Sequence, residues 1–235
     1  MIATPNKHVP RHQIVPLGQN RARISSIGAR SFLLEAPGDF DLASQRRIWA
    51  LSQTLKGWAD LAEIIPGMTN LLAIFRETPE EPEQIIDRLC AAWDAAQSID
   101  LSGKTIEIPV HYGGEFAVDL AALCDLSGLT DQEVIRLHHQ GTYRVFALGS
   151  APGFGYLHGL DPRLYMPRKT VPSLKMEKGC VTIGGMQTGV AMLTGPNGWN
   201  SIGFAELQMF DPLSPMPAMM APGDTVRFVP ERIEL

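Results

Sequence analysis

The sequence predicts an α+β fold in two parts: a small α/β sandwich over residues 23–97 and a barrel-like sheet over residues 98–235. Three observations predict it. Two amphipathic helical patterns are interleaved with short apolar runs before residue 97. A polar stretch containing glycine, Ser98 to Lys104, then interrupts the pattern and marks the boundary. From Tyr143 onward, glycine and proline punctuate a series of short strand-like runs, which suits a barrel. With 235 residues and 45% hydrophobic content, the chain can bury one large core or two small ones.

Taken in order, residues 1–22 read as a flexible tail. Arg30 to Glu35 reads as a strand ended by Pro37-Gly38. Asp41 to Trp58 reads as a helix, with Ile48, Trp49, Leu51, Leu55 and Trp58 on one face and Asp39 or Asp41 as its cap. Ala62–Ile65 and Leu71–Phe75 read as strands joined by a Pro66-Gly67 turn. Pro82 to Ala96 is the second helix, with proline in its first turn and a stripe of Ile85, Ile86, Leu89 and Trp93. The resulting β-α-β-β-α order is that of an open sandwich. Past the boundary comes a strand, Thr105 to Val110, and then two helical patterns expected to cover the open ends of the barrel. The second opens on Thr130-Asp-Gln-Glu133, the spacing of a capping box, and ends near His138 to Gly141. The expected barrel strands are Tyr143–Leu148, Val181–Ile183, Val190–Leu193, Ser201–Phe210 and Thr225–Val229.

Composition narrows the function classes. A net charge of −5 argues against a nucleic-acid binder, which would carry a basic excess. No apolar run approaches the roughly 20 residues that span a bilayer. The N-terminal stretch is polar and basic, without the apolar centre of a secretory signal, so a cytoplasmic location is expected. Cys90, Cys124 and Cys180 are an odd, widely spaced set that suggests no disulfide framework. Cys180 as a nucleophile would need a field to lower its pKa, and Lys178 is the candidate nearby in sequence. His111, His138, His139 and His158 lack the spacings of a zinc site, so no metal is expected.

The stretch from Gly149 to Trp199 is the most informative. Its glycines and prolines exclude a helix, and its apolar content excludes a disordered linker. It reads as ordered loops and short strands that bring backbone close to a ligand. Arg163, Arg168, Lys169, Lys175 and Lys178 make it locally basic. The lysines read as solvated. Arg168, fixed after Pro167, reads as an anchor for a carboxylate or phosphate. Gln187 and Thr188 follow Gly184-Gly185 and suit an amide or carboxylate, or else satisfy the turn itself. Phe154, Tyr156 and Trp199 suit a pocket wall or a core. For His138 two readings stand: a hydrogen bond at a helix end, or a group aimed at the loops. The chain holds no Gly-x-x-x-x-Gly-Lys-Ser/Thr phosphate loop and no Gly-x-Ser-x-Gly nucleophile elbow.

Several segments resemble one family. They are Ile108 to Glu115, Glu133 to His138, Pro152 to Leu157, Met166-Pro-Arg168, Gln187-Thr-Gly189, and Gly198-Trp199 followed by Ile202-Gly203. The sequence is similar to the KipI-like proteins, also known as the B-type subunits of 5-oxoprolinase or as allophanate hydrolase subunit 1, from about Arg23 onward. The resemblance implies a cyclophilin-like β-barrel for the second part. It implies partners too: a homologous C-type subunit (KipA-like) and a barrel-type A component (LamB/YcsF-like). The implied activity is an ATP-dependent opening of 5-oxoproline to glutamate, with ATP, and Mg with it, handled by the complex. Within it, His138, Phe154, Arg168, Gln187, Thr188 and Trp199 are the implied substrate contacts, with no catalytic residue assigned. Two alternatives belong to the same resemblance: a regulator that inhibits a sensor histidine kinase, and a component of an allophanate or urea amidolyase-type hydrolase. A prolyl isomerase, suggested by the barrel alone, lacks a matching arginine pattern. The sequence departs from the family pattern at Ser150-Ala151, Glu177, Cys180, Met192-Leu193 and Asn197.

Overall fold

The computed structural model describes residues 22–38 and 40–235, so residues 1–21 of the expected tail and Asp39 lie outside the described residues. Ala22, the last residue of that expected tail, is instead buried in the first core. Two compact units divide at Ile99/Asp100. In the first, the element order is β1 (Arg23–Gly28), β2 (Ser31–Glu35), α1 (Leu42–Leu55), β3 (Leu61–Pro66), β4 (Asn70–Phe75) and α2 (Pro82–Ala95). The strands form an antiparallel sheet in the order β1-β2-β4-β3. Asp41 caps α1 by accepting the Ser44 N–H at 2.7 Å. Ile48, Leu51 and Leu55 of α1 and Ile85, Leu89 and Trp93 of α2 share one core with Phe32, Leu34, Leu71 and Phe75 of the sheet. The sequence reading lacked β1: its RISSIG pattern places one buried residue, Ile24, in an otherwise polar or exposed edge strand.

The second unit begins with β5 (Thr105–Gly113), α3 (Leu120–Ser127), α4 (Asp131–Gln140), β6 (Tyr143–Leu148) and β7 (Gly155–His158). After a single 3-10 turn, Pro162–Leu164, come β8 (Ser173–Met176), β9 (Cys180–Gly184), β10 (Gln187–Val190), β11 (Gly195–Asn197), β12 (Asn200–Phe204) and β13 (Thr225–Glu234). Seven strands close a barrel in the order β10-β7-β6-β13-β5-β12-β9, and β8 and β11 form a separate two-stranded ribbon. β13 runs parallel to β5, and the other barrel pairs are antiparallel. The fold is the α+β arrangement with a closed barrel that the sequence predicts. Thr130 and Glu133 form the expected capping box at the start of α4, with both reciprocal bonds present.

Two strands end earlier than their apolar runs suggest. The run Ser201–Phe210 is strand only to Phe204, because its partner β9 begins at Cys180, just after Gly179 turns with φ +96°. Val190 is likewise the last strand residue of β10, opposite Val181, and Met192 and Leu193 bend away. The early end of β10 leaves Ala191, Met192 and Leu193 to line the site.

Candidate functional site

A cavity of about 430 Å³ opens between the β9–β10 hairpin, the loop before β7, the Arg168 segment and β11. Its aromatic wall is Phe154, Tyr156 and Trp199. Phe154 meets Trp199 edge-on at 5.6 Å and Tyr156 edge-on at 5.0 Å. The wall depends on a missing side chain. A Cβ at Gly184 would lie 2.6 Å from the Trp199 indole, so only glycine lets that ring lie against the strand. Gly185, with φ +65°, then turns the chain with Met186 back to Gln187, which pairs with Gly184. At the mouth, Ser150 holds φ 59°, a left-handed conformation that costs energy in a non-glycine residue.

Among the described lining residues Arg168 is the only charged one. Its guanidinium has no hydrogen-bond or ion-pair partner among the described residues and lies 3.6 Å from the place a Cβ on Gly198 would occupy. The peptide around it is nevertheless tied down. The Asn200 amide donates to Pro167 O at 2.9 Å, and Lys169 N donates to Gly198 O at 2.8 Å. The Lys169 ammonium pairs with Asp119 at 2.6 Å, both side chains under one-fifth exposed, and also reaches Ser173 Oγ. Asp119 in turn accepts the Ser201 N–H at 2.7 Å. The solvated-lysine reading is thereby corrected for Lys169, which anchors the segment that presents Arg168.

Gln187 lines the same cavity, and its side-chain amide has no partner among the described residues. Asn197 uses its Oδ1 to accept the Trp199 N–H at 2.9 Å, which leaves its NH₂ free toward the cavity. One cation and several neutral donors on an aromatic floor suit a small acid or amide: the guanidinium takes a carboxylate and the amides take a carbonyl oxygen. Among the described residues no His, Cys, Asp or Glu cluster is arranged to hold a metal ion.

His138 and Thr188 do not line this cavity, and their expected substrate contact is corrected. Both are fully buried. His138 leaves the last turn of α4 and enters the core among Tyr112, Tyr143 and Phe228. Its Nδ1 lies 2.7 Å from Tyr112 Oη, and its Nε2 lies 2.8 Å from Thr188 Oγ1. Thr188 Oγ1 donates to Thr182 O at 2.9 Å, and Tyr143 Oη donates to His138 O at 2.7 Å. Burial drives the His138 imidazole down to about 3, with a smaller contribution from His139, so the ring is neutral. Burial also raises the hydroxyl pKa of Tyr112 and of Tyr143. Of the two readings of His138, the structure shows the hydrogen-bonded one. Cys180 is buried and does not line the cavity, and burial raises its thiol pKa, the opposite of the shift that activates a thiol.

Residues 22–220 match the family model described as carboxyltransferase domain, subdomain C and D. The chain belongs to this family. As a carboxyltransferase C/D chain it has named relatives of nearly its own length. The B subunit of 5-oxoprolinase from Escherichia coli O157:H7 is 42% identical over 212 residues, covering 90% of this chain and 97% of that protein. Its counterpart of the same name from Haemophilus influenzae is 34% identical, covering 90% and 99%. The crystal structure of Kluyveromyces lactis urea carboxylase superposes with a TM-score of 0.78 over 96% of this chain and 23% of that one. At 18% identity, that likeness shows the fold alone.

In this carboxyltransferase C/D chain, four of the six expected contacts share one cavity: Phe154, Arg168, Gln187 and Trp199. Five of the positions that depart from the family pattern line it as well: Ser150, Ala151, Met192, Leu193 and Asn197. Glu177 and Cys180 do not. Sequence reasoning missed Asn197 as a donor and Asp119 as a support. An asparagine before a glycine, next to a predicted wall residue, was a usable signal for the first. Nothing local marks Asp119, whose partners lie 50 and 82 positions away.

Proposed function

We propose that this chain is the B-type component of an ATP-dependent 5-oxoprolinase, which opens the lactam of 5-oxoproline to glutamate. The observation that carries the reading is the unpartnered Arg168 guanidinium, the only charge among the cavity's described lining residues, in one cavity with the free amides of Gln187 and Asn197. In this assignment Arg168 holds the ring carboxylate. Gln187 and Asn197 donate to the lactam oxygen, where negative charge develops as the amide is attacked. Phe154, Tyr156 and Trp199 cover the faces of the ring and exclude water from it. The named relatives support the substrate, and their naming as subunits supports a multi-chain enzyme.

We assign ATP to the complex: the cavity's described lining offers one guanidinium, and the sequence holds no Gly-x-x-x-x-Gly-Lys-Ser/Thr loop. The homologous C-type and barrel-type A components are its proposed partners, and the chain alone is proposed to be inactive. The test is co-expression with both partners and an assay for glutamate released from 5-oxoproline with and without ATP. Turnover that needs all three chains and ATP is expected. A well-folded complex that binds no 5-oxoproline and releases no glutamate overturns the proposal.

A further inference from the structure

Gln187 and Thr188 are successive residues of β10, so their side chains leave the strand on opposite sides. Gln187 faces the cavity, and Thr188 faces the sealed interior. The Thr188 hydroxyl has one hydrogen. It donates that hydrogen to the Thr182 carbonyl across the β9–β10 pair. A carbonyl can only accept, so Thr188 Oγ1 must accept from His138 Nε2, which carries the ring proton. In a neutral ring Nδ1 is then an acceptor, and the Tyr112 hydroxyl donates to it. The bonds therefore run one way, from Tyr112 on β5, through His138 on α4, to Thr188 on β10 and Thr182 on β9. Every hydroxyl and ring nitrogen along the run is satisfied. Thr182 Oγ1 adds a second tie by donating to Gly189 O at 3.2 Å. The hairpin held in this way carries both the Gly184 seat of Trp199 and the Gln187 amide.

We propose that His138 is a positioning residue, whose single tautomer, set by Tyr112, holds Thr188 and through it fixes the direction of the Gln187 amide in the cavity. It touches no ligand. It acts on the side of β10 that no ligand reaches, and its effect emerges on the other side. An apolar residue of similar volume would fill the same space without choosing a position for the hairpin, because packing is tolerant of small shifts and a hydrogen bond is directional. The ligand half of the test rests on the reading of the cavity as a 5-oxoproline site, whereas the geometric half does not.

The experiment uses the full ¹⁵N-labelled chain and four variants. Thr188→Val removes the acceptor, and Thr188→Ser keeps it. His138→Gln keeps a donor near the Nε2 position, and the shorter His138→Asn places its amide near Nδ1 and leaves Thr188 without a donor. The Gln187 side-chain amide resonances, assigned with Gln187→Glu, are expected to move in Thr188→Val and His138→Asn. They should stay near their wild-type positions in Thr188→Ser and His138→Gln. The imidazole nitrogens of the wild-type chain should report the Nε2–H tautomer. Should the His138 variants fail to fold, the Thr188 pair still decides the matter. Unmoved Gln187 resonances in Thr188→Val, or an Nδ1–H tautomer, overturn the proposal. Steady-state kinetics on 5-oxoproline in the assembled complex should then show kcat and kcat/KM lowered together by about tenfold in Thr188→Val, with KM nearly unchanged, and both restored in Thr188→Ser. If Arg168→Ala leaves 5-oxoproline binding untouched, the cavity reading falls, while the tautomer and the amide shifts still judge the role of His138.

Discussion

The barrel holds two polar clusters back to back. In the interior, Tyr112, His138, Thr188 and Thr182 are joined in one run of hydrogen bonds. On the cavity side, Arg168, the Gln187 amide and the Asn197 NH₂ have no partners among the described residues. Residue type does not separate the two groups, since histidine and threonine are as capable of binding a ligand as glutamine. Satisfaction separates them. A buried polar group without a partner is costly and is rarely retained, so the interior cluster closes on itself. A cavity group can wait with water for a ligand. In this fold, polar residues with complete bonding define the frame, and those with incomplete bonding define the function.

The largest expected effect would break the interior cluster with acid. His138 is neutral in the fold, with a pKa of about 3, against an ordinary value of 6.5. The unfolded chain therefore takes up the proton first as pH falls. The contribution is complete above about pH 6.5 and is lost at about 1.4 kcal/mol per unit below it, down toward pH 3. Urea unfolding at pH 7 and pH 5 should differ by about 2 kcal/mol from this group, and an equal midpoint would show that the ring is not sealed. The next effect sharpens the contrast from the cavity side. Arg168→Ala should leave the unfolding midpoint in place and weaken 5-oxoproline binding by about 30-fold, the loss of a charge-assisted pair worth about 2 kcal/mol, as read by calorimetry. A variant with unchanged affinity and lowered stability would make Arg168 part of the frame. Lys169→Met lies between the two categories. Removing one partner of the largely buried pair with Asp119 should cost about 2 kcal/mol of stability and loosen the Arg168 segment, lowering affinity about fivefold. The smallest effect is a control: Arg163, exposed and paired with Asp161, should change neither stability nor affinity on substitution by alanine.

Much of the fold was legible because its signals are local. Proline at the start of α2, the Asp41 cap and the Thr130–Glu133 box each declare a helix end within four residues. The barrel strands were less so. β7, β8 and β11 have three or four residues, too few for a periodicity to develop in them. The cavity was half legible. Phe154, Arg168, Gln187 and Trp199 stood out because glycine and proline punctuate the ordered loops that carry them. His138 and Thr188 carry the same chemical vocabulary, and the partners of the histidine are 26 and 50 positions away, so burial could not be read locally. Lys169 was misplaced for the same reason: its carboxylate partner lies 50 positions earlier, at the start of α3.

The chain has four tryptophans, and three of them, Trp49, Trp58 and Trp93, belong to the first unit. The second unit thus carries a single indole, Trp199, and it stands in the cavity wall against Phe154. With the other three replaced by phenylalanine, the protein's intrinsic fluorescence would come chiefly from that one ring. Nature has in effect installed an optical probe in the wall of the cavity, through which the arrival of a small molecule can be timed without a label.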